Sequence, residues 1–438
     1  VVEVGGGTCS GMSRMSVNQE KKPKRVVGLP FVRPVRRGRQ ARTTWARAKG
    51  TTMFAAYTCR AVPEAGLNPH AVFPGTGPSR FSEPSNHLPS KRRYLDVMNI
   101  AFRSVMHPIL LCVAIALSAG AEPVKLIFDT DIGADADDAG ALAVIHALVD
   151  LGEAELLAVG VGSYHGASEV HSVQCVDAVN TYYHRPNIPI GKNPGYVYDA
   201  TEEGYYNKAV AAFPHDQNTA NAPSAKDVYR EVLAAQPDTS VTFVVTGKTY
   251  NIKSLFESSA DGYSNLNGID LVKKKVREFS IMGGKYPRGK EANFVNSDSG
   301  VVKYVVDNCP VPIMFSGYEI GYHIATGGGL ARVSNDNPVK AAYKSFNTNC
   351  PSWYTPCTGK IRGSPSYDQT SALYAVRGLA DYWSAVTTGY NSVDRNGANV
   401  WRSSPDSDHA YLTKKMDTTK LGGVIEGLMV APPAAQHR

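Results

Sequence analysis

The sequence predicts an α/β protein: an open, mostly parallel central sheet with helices on both faces. Two observations carry this expectation. From Val124 onward short β-rich runs alternate with stretches of helical period, and the runs are apolar at consecutive positions, as strands buried on both faces must be. In such sheets ligands bind beyond the carboxyl ends of the strands.

Taken in order, VKLIFD (124–129) is the first strand and precedes a helix near 139–152. ELLAVGVGS (155–163) precedes a helix near 168–184, and VTFVVTG (241–247) one near 251–259. REFSIMGG (277–284) and PIMFSGYEIG (312–321) read as further strands, with SGVVKYVVDN (299–308) as the helix between them. With no repeat or linker from 124 to 430, residues 122–438 are expected to form one domain.

Composition divides the chain differently. Of 438 residues, 43% are hydrophobic and 19% charged, which suits a large globular core. The net charge is +7, but residues 1–97 hold 17 Lys+Arg against 5 Asp+Glu, so the remainder carries 29 against 34, a net −5. The excess that suggests nucleic acid therefore falls outside the region with folding signals, and no nucleic-acid partner is expected. Segments such as KKPKR (Lys21–Arg25) and RPVRRGRQAR (Arg33–Arg42) have no apolar period and read as a disordered basic segment. A second start follows: from Met98, Arg103 supplies a positive region, Ile109–Leu117 an apolar one, and Ala119-Gly120-Ala121 a cleavage site. Residues 98–121 thus read as a secretory signal peptide too short to span a bilayer, and residues 1–97 are expected to lie outside the native protein. The expectation is a secreted chain beginning near Glu122, with no stable membrane span.

Four cysteines follow that point, an even number for an oxidising compartment. Cys350 and Cys357, enclosing CPSWYTPC, are the expected disulfide, with Cys175 and Cys309 left as thiols. No cysteine spacing indicates zinc.

The chemistry concentrates in FDTDIGADADDAGAL (Phe128–Leu142), where Asp129, Asp131, Asp135, Asp137 and Asp138 fall within ten residues at the end of the first strand. Carboxylates this close repel unless a cation sits among them or some stay protonated. An EF-hand loop counted from Asp129 would need Gly at position six and Glu at twelve, where Ala134 and Gly140 stand. A phosphate-transferring DxDGT loop would need Thr after the Gly, where Ala134 stands. A solvated turn capping a helix accounts for one or two aspartates, not five. A calcium site that also does chemistry is the remaining reading.

The stretch DTDIGADADDAGAL resembles the N-terminal motif of the inosine-uridine preferring nucleoside hydrolase family, in its longer DTDIGxDxDD form. TYYHRPNIPIG (181–191), VVTGKTYNI (244–252), IMGGKYPRGKEANF (281–294) and SYDQTSALYAVRG (366–378) agree with that family in order and spacing, so the resemblance covers roughly 124–380. It implies calcium (Ca2+) held by Asp131, Asp138, the Thr246 carbonyl and Asp368, with Asp131 as catalytic base for a water acidified by the metal. It further implies Asp137 on the 2′-hydroxyl, and Glu291 and Asn293 on the 5′ and 3′ hydroxyls. Read without the resemblance, Asp137 and Asp368 are helix caps and Glu291 and Asn293 loop residues.

Some relatives place His before the downstream calcium-binding Asp, as an acid for the leaving base; here Tyr367 stands, suited to stacking on the base or to acid donation. Ser163 replaces a common Asn, and Ser297-Asp298 carries one extra residue. His146 reads as structural, and His165 lies in the loop after the second strand. The implied activity is a secreted, calcium-dependent hydrolase of the N-glycosidic bond of ribonucleosides, releasing base and ribose in purine or pyrimidine salvage. The alternative is a non-catalytic secreted member of the fold that binds a sugar or a protein. The expected partner is a small-molecule ribonucleoside. Base preference and self-association into a homo-oligomer are left open.

Overall fold

The computed structural model describes residues 122–162, 170–193, 204–297, 300–405 and 407–435. The basic segment 1–97, the signal-like stretch 98–121, Ser163, His165 and Asp298 lie outside the described residues. In chain order the strands are β1 (Val124–Thr130), β2 (Ala154–Val161), β3 (Ile190–Lys192), β4 (Val241–Val245), β5 (Val276–Met282), β6 (Arg288–Gly289), β7 (Ile313–Ser316), β8 (Ala325–Thr326), β9 (Ser364–Pro365), β10 (Trp383–Val386), β11 (Tyr390–Val393), β12 (Asn399–Arg402) and β13 (His409–Lys414).

The main sheet runs β10-β13-β7-β5-β4-β1-β2-β3. Every pairing in it is parallel except the edge pair of β10 with β13. From Leu126 to Thr130 every residue of β1 is buried, because both faces of the sheet are covered. The pleat sends Leu126 and Phe128 into one core and Ile127 into the other. Helices Asp137–Asp150, Ser172–Tyr182, Tyr367–Arg377 and Thr418–Met429 contribute to the first core; Ala225–Ala235, Tyr250–Phe256, Gly268–Lys275 and Val301–Asn308 contribute to the second. Each large apolar side chain removed from water contributes roughly 1.5–3 kcal/mol. Together they anchor a strand end that its own carboxylates would otherwise push apart.

The helix expected near 139–152 begins two residues earlier, so Asp137 and Asp138 form its first turn, where the helix dipole favours negative charge. The helices expected at 168–184, 251–259 and 299–308 occupy Ser172–Tyr182, Tyr250–Phe256 and Val301–Asn308. The run 312–321 departs from expectation. It is strand only to Ser316; Gly317 caps a helical turn, Tyr318–Gly321. Tertiary contact decides this: the backbone N–H of Tyr286 donates to the Glu319 carboxylate at 3.1 Å, and that of Ser366 to the Gly321 carbonyl at 3.3 Å.

β11, β12 and β6 form a small antiparallel sheet over the loop that follows β5. Within it Asn399 accepts the Lys285 N–H at 2.9 Å and donates to the Lys285 carbonyl at 3.0 Å, fixing that loop. Cys350 and Cys357 are joined, with Cα atoms 5.9 Å apart, while among the described residues Cys175 and Cys309 are free thiols. Among the described residues, no helix is long and apolar enough to cross a membrane.

Candidate functional site

Chain order in the sheet reverses at β1: β2 and β3 extend to one side, β4, β5 and β7 to the other. A crevice at the carboxyl ends of the strands beside such a switch point is where open α/β sheets bind ligands. Here a cavity of about 1560 Å3 is lined by Asp131, Asp135, Asp137, Thr246, Glu291, Asn293, Tyr367 and Asp368, among others. Seven of the eight residues singled out from the sequence therefore meet at one place; the eighth, Asp138, lies just beneath, fully buried.

The turn after β1 needs Gly133, whose φ of +123° places it where side chains are strained. Gly247 permits the ends of β1 and β4 to touch, since a Cβ there would lie 2.6 Å from the Asp131 nitrogen. Asp131 is 4% exposed, and burial, then the charge of Asp135, pushes its carboxyl up to about 7, against the pull of Lys248.

Asp138 accepts the Thr130 hydroxyl on Oδ1 and is hydrogen-bonded to the Asp368 side chain; its buried Oδ2 has no hydrogen-bond partner among the described residues. Burial, followed by the charge of Asp137, raises Asp368 well above the ordinary carboxyl range. The Thr246 hydroxyl lies 3.5 Å from Asp138 Oδ1, and its carbonyl accepts from Asn293 Nδ2 at 2.6 Å, one of the two bonds a carbonyl can take.

Asp137 accepts the backbone N–H of Tyr367 at 3.0 Å and of Asp368 at 3.2 Å. It is a helix cap, but for the helix Tyr367–Arg377 rather than its own. Burial, then the charge of Asp138, pushes it up to about 7. Glu291 accepts the N–H groups of Asn293, Gly284 and Phe294 at 2.8, 3.1 and 3.3 Å, so it both lines the cavity and caps the turn Ala292–Val295; burial raises it to about 7.

Two aspartates of the crowded turn received no individual role from the sequence, and two tyrosines were missed. Asp135 lines the cavity, is hydrogen-bonded to Asp137, and offers a carboxylate oxygen that lies, with those of Asp137 and Asp138, within a 4.8 Å group. Asp129 turns the other way, accepting from Asn251 Nδ2 at 2.9 Å and from the Tyr229 hydroxyl, with Oδ1 buried and without a hydrogen-bond partner among the described residues. Tyr318 and Tyr322 continue from Tyr367 as a stack, with centroids 5.4 and 4.9 Å apart, and their hydroxyls are linked in the same order. Their four-residue spacing was the available signal, since it places both on one face of a helical turn. Burial lifts the Tyr367 phenol above its ordinary value, so it keeps its proton.

The carboxylate oxygens that lie within 4.8 Å of one another, those of Asp135, Asp137 and Asp138, share only Asp138 with the four ligands the resemblance implied, and they suit a hard cation. Asp138 Oδ2 is a buried acceptor lacking a donor, and an all-oxygen set of carboxylates and a carbonyl is what calcium prefers. His146 has no place in the site. It is buried against Tyr183, bonded to Asn180 at 2.8 Å, and burial lowers it to about 3.

No family model matches the sequence, and no curated protein matches it. Among solved structures, the chain is similar to an inosine-guanosine nucleoside hydrolase, with a TM-score of 0.51 and 17% identity over 70% of this chain and 98% of that one. It is also similar to the effector protein XOO4466, with a TM-score of 0.54 and 16% identity over 74% of this chain and 98% of that one. A third likeness is to the type III effector protein XopQ complexed with adenosine diphosphate ribose, with a TM-score of 0.50 and 16% identity over 73% and 95%. The fold is that of the nucleoside hydrolases.

Proposed function

We propose that this protein is a secreted, calcium-dependent hydrolase of the N-glycosidic bond of ribonucleosides. The observation that carries the reading is the convergence of Asp131, Asp135, Asp137 and Asp368 on the floor of one cavity, over Asp138 and beside Thr246. Asp131, Asp138, Asp368 and the Thr246 carbonyl would hold the ion, with Asp135 and Asp137 adjacent. Bound calcium supplies positive charge that compensates the carboxylates and acidifies an attached water.

The protein's own groups account for the rest. Cleavage breaks the bond between C1′ and the base nitrogen while a water oxygen bonds to C1′, passing through a transition state with positive charge on the ribose. Asp131, at the cavity edge of the aspartate group, takes the water proton. The surrounding carboxylates stabilise the developing charge. Asp137, Glu291 and Asn293 border the cavity as acceptors and donors for ribose hydroxyls. Tyr367, linked through Tyr318 to Tyr322, presents a ring to stack on the departing base and a hydroxyl to hydrogen-bond it. Incubating purified protein with purine and pyrimidine nucleosides, with and without calcium, and measuring free base tests the reading; no release from any nucleoside at saturating calcium overturns it.

A second reading is favoured by one observation: a solved structure with the same fold, that of the effector XopQ, is complexed with adenosine diphosphate ribose. On that reading the cavity binds a ribosyl ligand without cleaving it. Calorimetric binding of a nucleoside or of ADP-ribose with no product formed would select it.

A further inference from the structure

The carboxylates occupy one part of a cavity that exceeds the roughly 300–1,000 Å3 of an ordinary small-molecule site. Another part of its wall comes from the disulfide-closed segment 350–357 and the residues after it, including Trp353, Tyr354 and Arg362. The Arg362 guanidinium lies over the Tyr354 ring, 4.1 Å from its centroid. That ring is itself held, its hydroxyl bonded to Ser364 Oγ at 2.6 Å and the ring tilted against Phe346 with centroids 4.7 Å apart. Trp353 stands beside it, 6.1 Å between centroids, with 64% of its surface exposed.

Arg362 is only half-exposed, yet no carboxylate pairs with it among the described residues, and its Nε and Nη2 are buried without a hydrogen-bond partner. Stacking on an aromatic ring offsets part of the loss of water around a cation. It supplies no acceptor for the planar N–H fork, which suits a phosphate or carboxylate. Asp131, Asp135, Asp137, Asp368 and Glu291 line the cavity and repel anions, so a cation kept free of them on the same cavity wall is a recognition element, not a counter-charge.

We infer that Arg362, seated on Tyr354, is an outer anion-binding subsite of this cavity and takes a phosphate or carboxylate group carried by the substrate. The inference rests on the reading that the aspartate floor receives a ribose, and it narrows the substrate class to ribosides bearing an anionic group. That group could sit on the sugar as a phosphate or on the base as a carboxylate.

Calorimetry on the full chain with calcium compares adenosine with adenosine 5′-monophosphate, and uridine with a pyrimidine nucleoside bearing a base carboxylate. The anionic member of at least one pair is expected to bind about ten-fold more tightly, the scale of one charge-assisted bond. Arg362→Gln, which keeps a planar amide over Tyr354, is expected to bring the two constants together, and Arg362→Lys to restore part of the difference. Which pair responds identifies the source of the anion. Equal binding within both pairs, or a preference that survives Arg362→Gln, overturns the inference. Inorganic sulfate, followed by Trp353 emission, separates the two readings. Quenching in the parent but not in Arg362→Gln, with no nucleoside bound, keeps the subsite and removes the nucleoside reading. Nucleoside binding without any sulfate response removes the subsite alone.

Discussion

The Asp137 carboxylate accepts the backbone N–H of Asp368 at 3.2 Å, joining residues 231 apart in the chain. One carboxylate thereby caps a distant helix and sets where that helix presents Asp368 to the other aspartates. Removing a helix cap costs about 1 kcal/mol, and up to about 2. Asp137→Ala is therefore expected to weaken calcium binding, although Asp137 is not among the four groups assigned to the ion. Titration showing parental calcium affinity in Asp137→Ala would break this link.

Asp131→Asn is expected to lose turnover by a factor of about 10² or more, the usual contribution of a positioned base, while keeping the fold. Tyr367→Phe keeps the ring but loses the hydroxyl, so it should slow the release of poor leaving bases and spare nucleosides with good ones. Base release measured over a series of leaving groups checks both, and equal loss across the series would argue against leaving-group assistance by the Tyr367 hydroxyl.

Stability should respond to pH with opposite signs in the metal-free and calcium-loaded protein. Burial raises Asp129, Asp131, Asp137 and Glu291 to about 7, so between their ordinary values near 4 and about 7 the unfolded chain holds fewer protons than the folded one. Metal-free stability must then fall as pH rises through that window. His146 acts oppositely: lowered to about 3, it contributes stability above 6.5 that is lost as pH falls toward 3. Four carboxyls outweigh one imidazole, so urea midpoints in chelator should rise from pH 7 to pH 5. Saturating calcium favours the ionised carboxylates and stabilises the folded state, which should reverse the trend. Midpoints that fall in chelator over the same range contradict the argument.

Peptide mapping without reduction should recover Cys350 linked to Cys357, with Cys175 unreactive until the protein unfolds. A loop this short is worth roughly 2–3 kcal/mol on the chain-entropy account, so Cys350→Ser should melt lower and loosen Trp353. Free alkylation of both cysteines in the native protein would refute the pairing.

The signal-like stretch from Met98 and the change from a net +12 to −5 along the chain lead to one further expectation. N-terminal sequencing of protein recovered from medium should begin near Glu122. Peptides from Arg33–Arg42 in that material would rule this out.

What the sequence determined by itself was local. Consecutive apolar residues in VKLIFD required a strand covered on both faces, Gly133 allowed the turn, and the crowding of aspartates behind it implied a cation or shared protons. These follow from side-chain period and short-range charge, which the order of residues alone dictates. Tertiary structure decided the rest. PIMFSGYEIG is apolar enough to read as one strand, yet it bends at Gly317 because Glu319 and Gly321 find partners from 33 and 45 residues away, and that bend brings Tyr318 and Tyr322 to Tyr367. Asp129 and Asp131 are two positions apart in sequence, but only the packing of Tyr229 and Asn251 turns the first into the core and leaves the second facing the cavity. Whether a carboxylate caps, binds or stays buried depends on which donors distant segments deliver to it. Those donors arrive only when the chain packs.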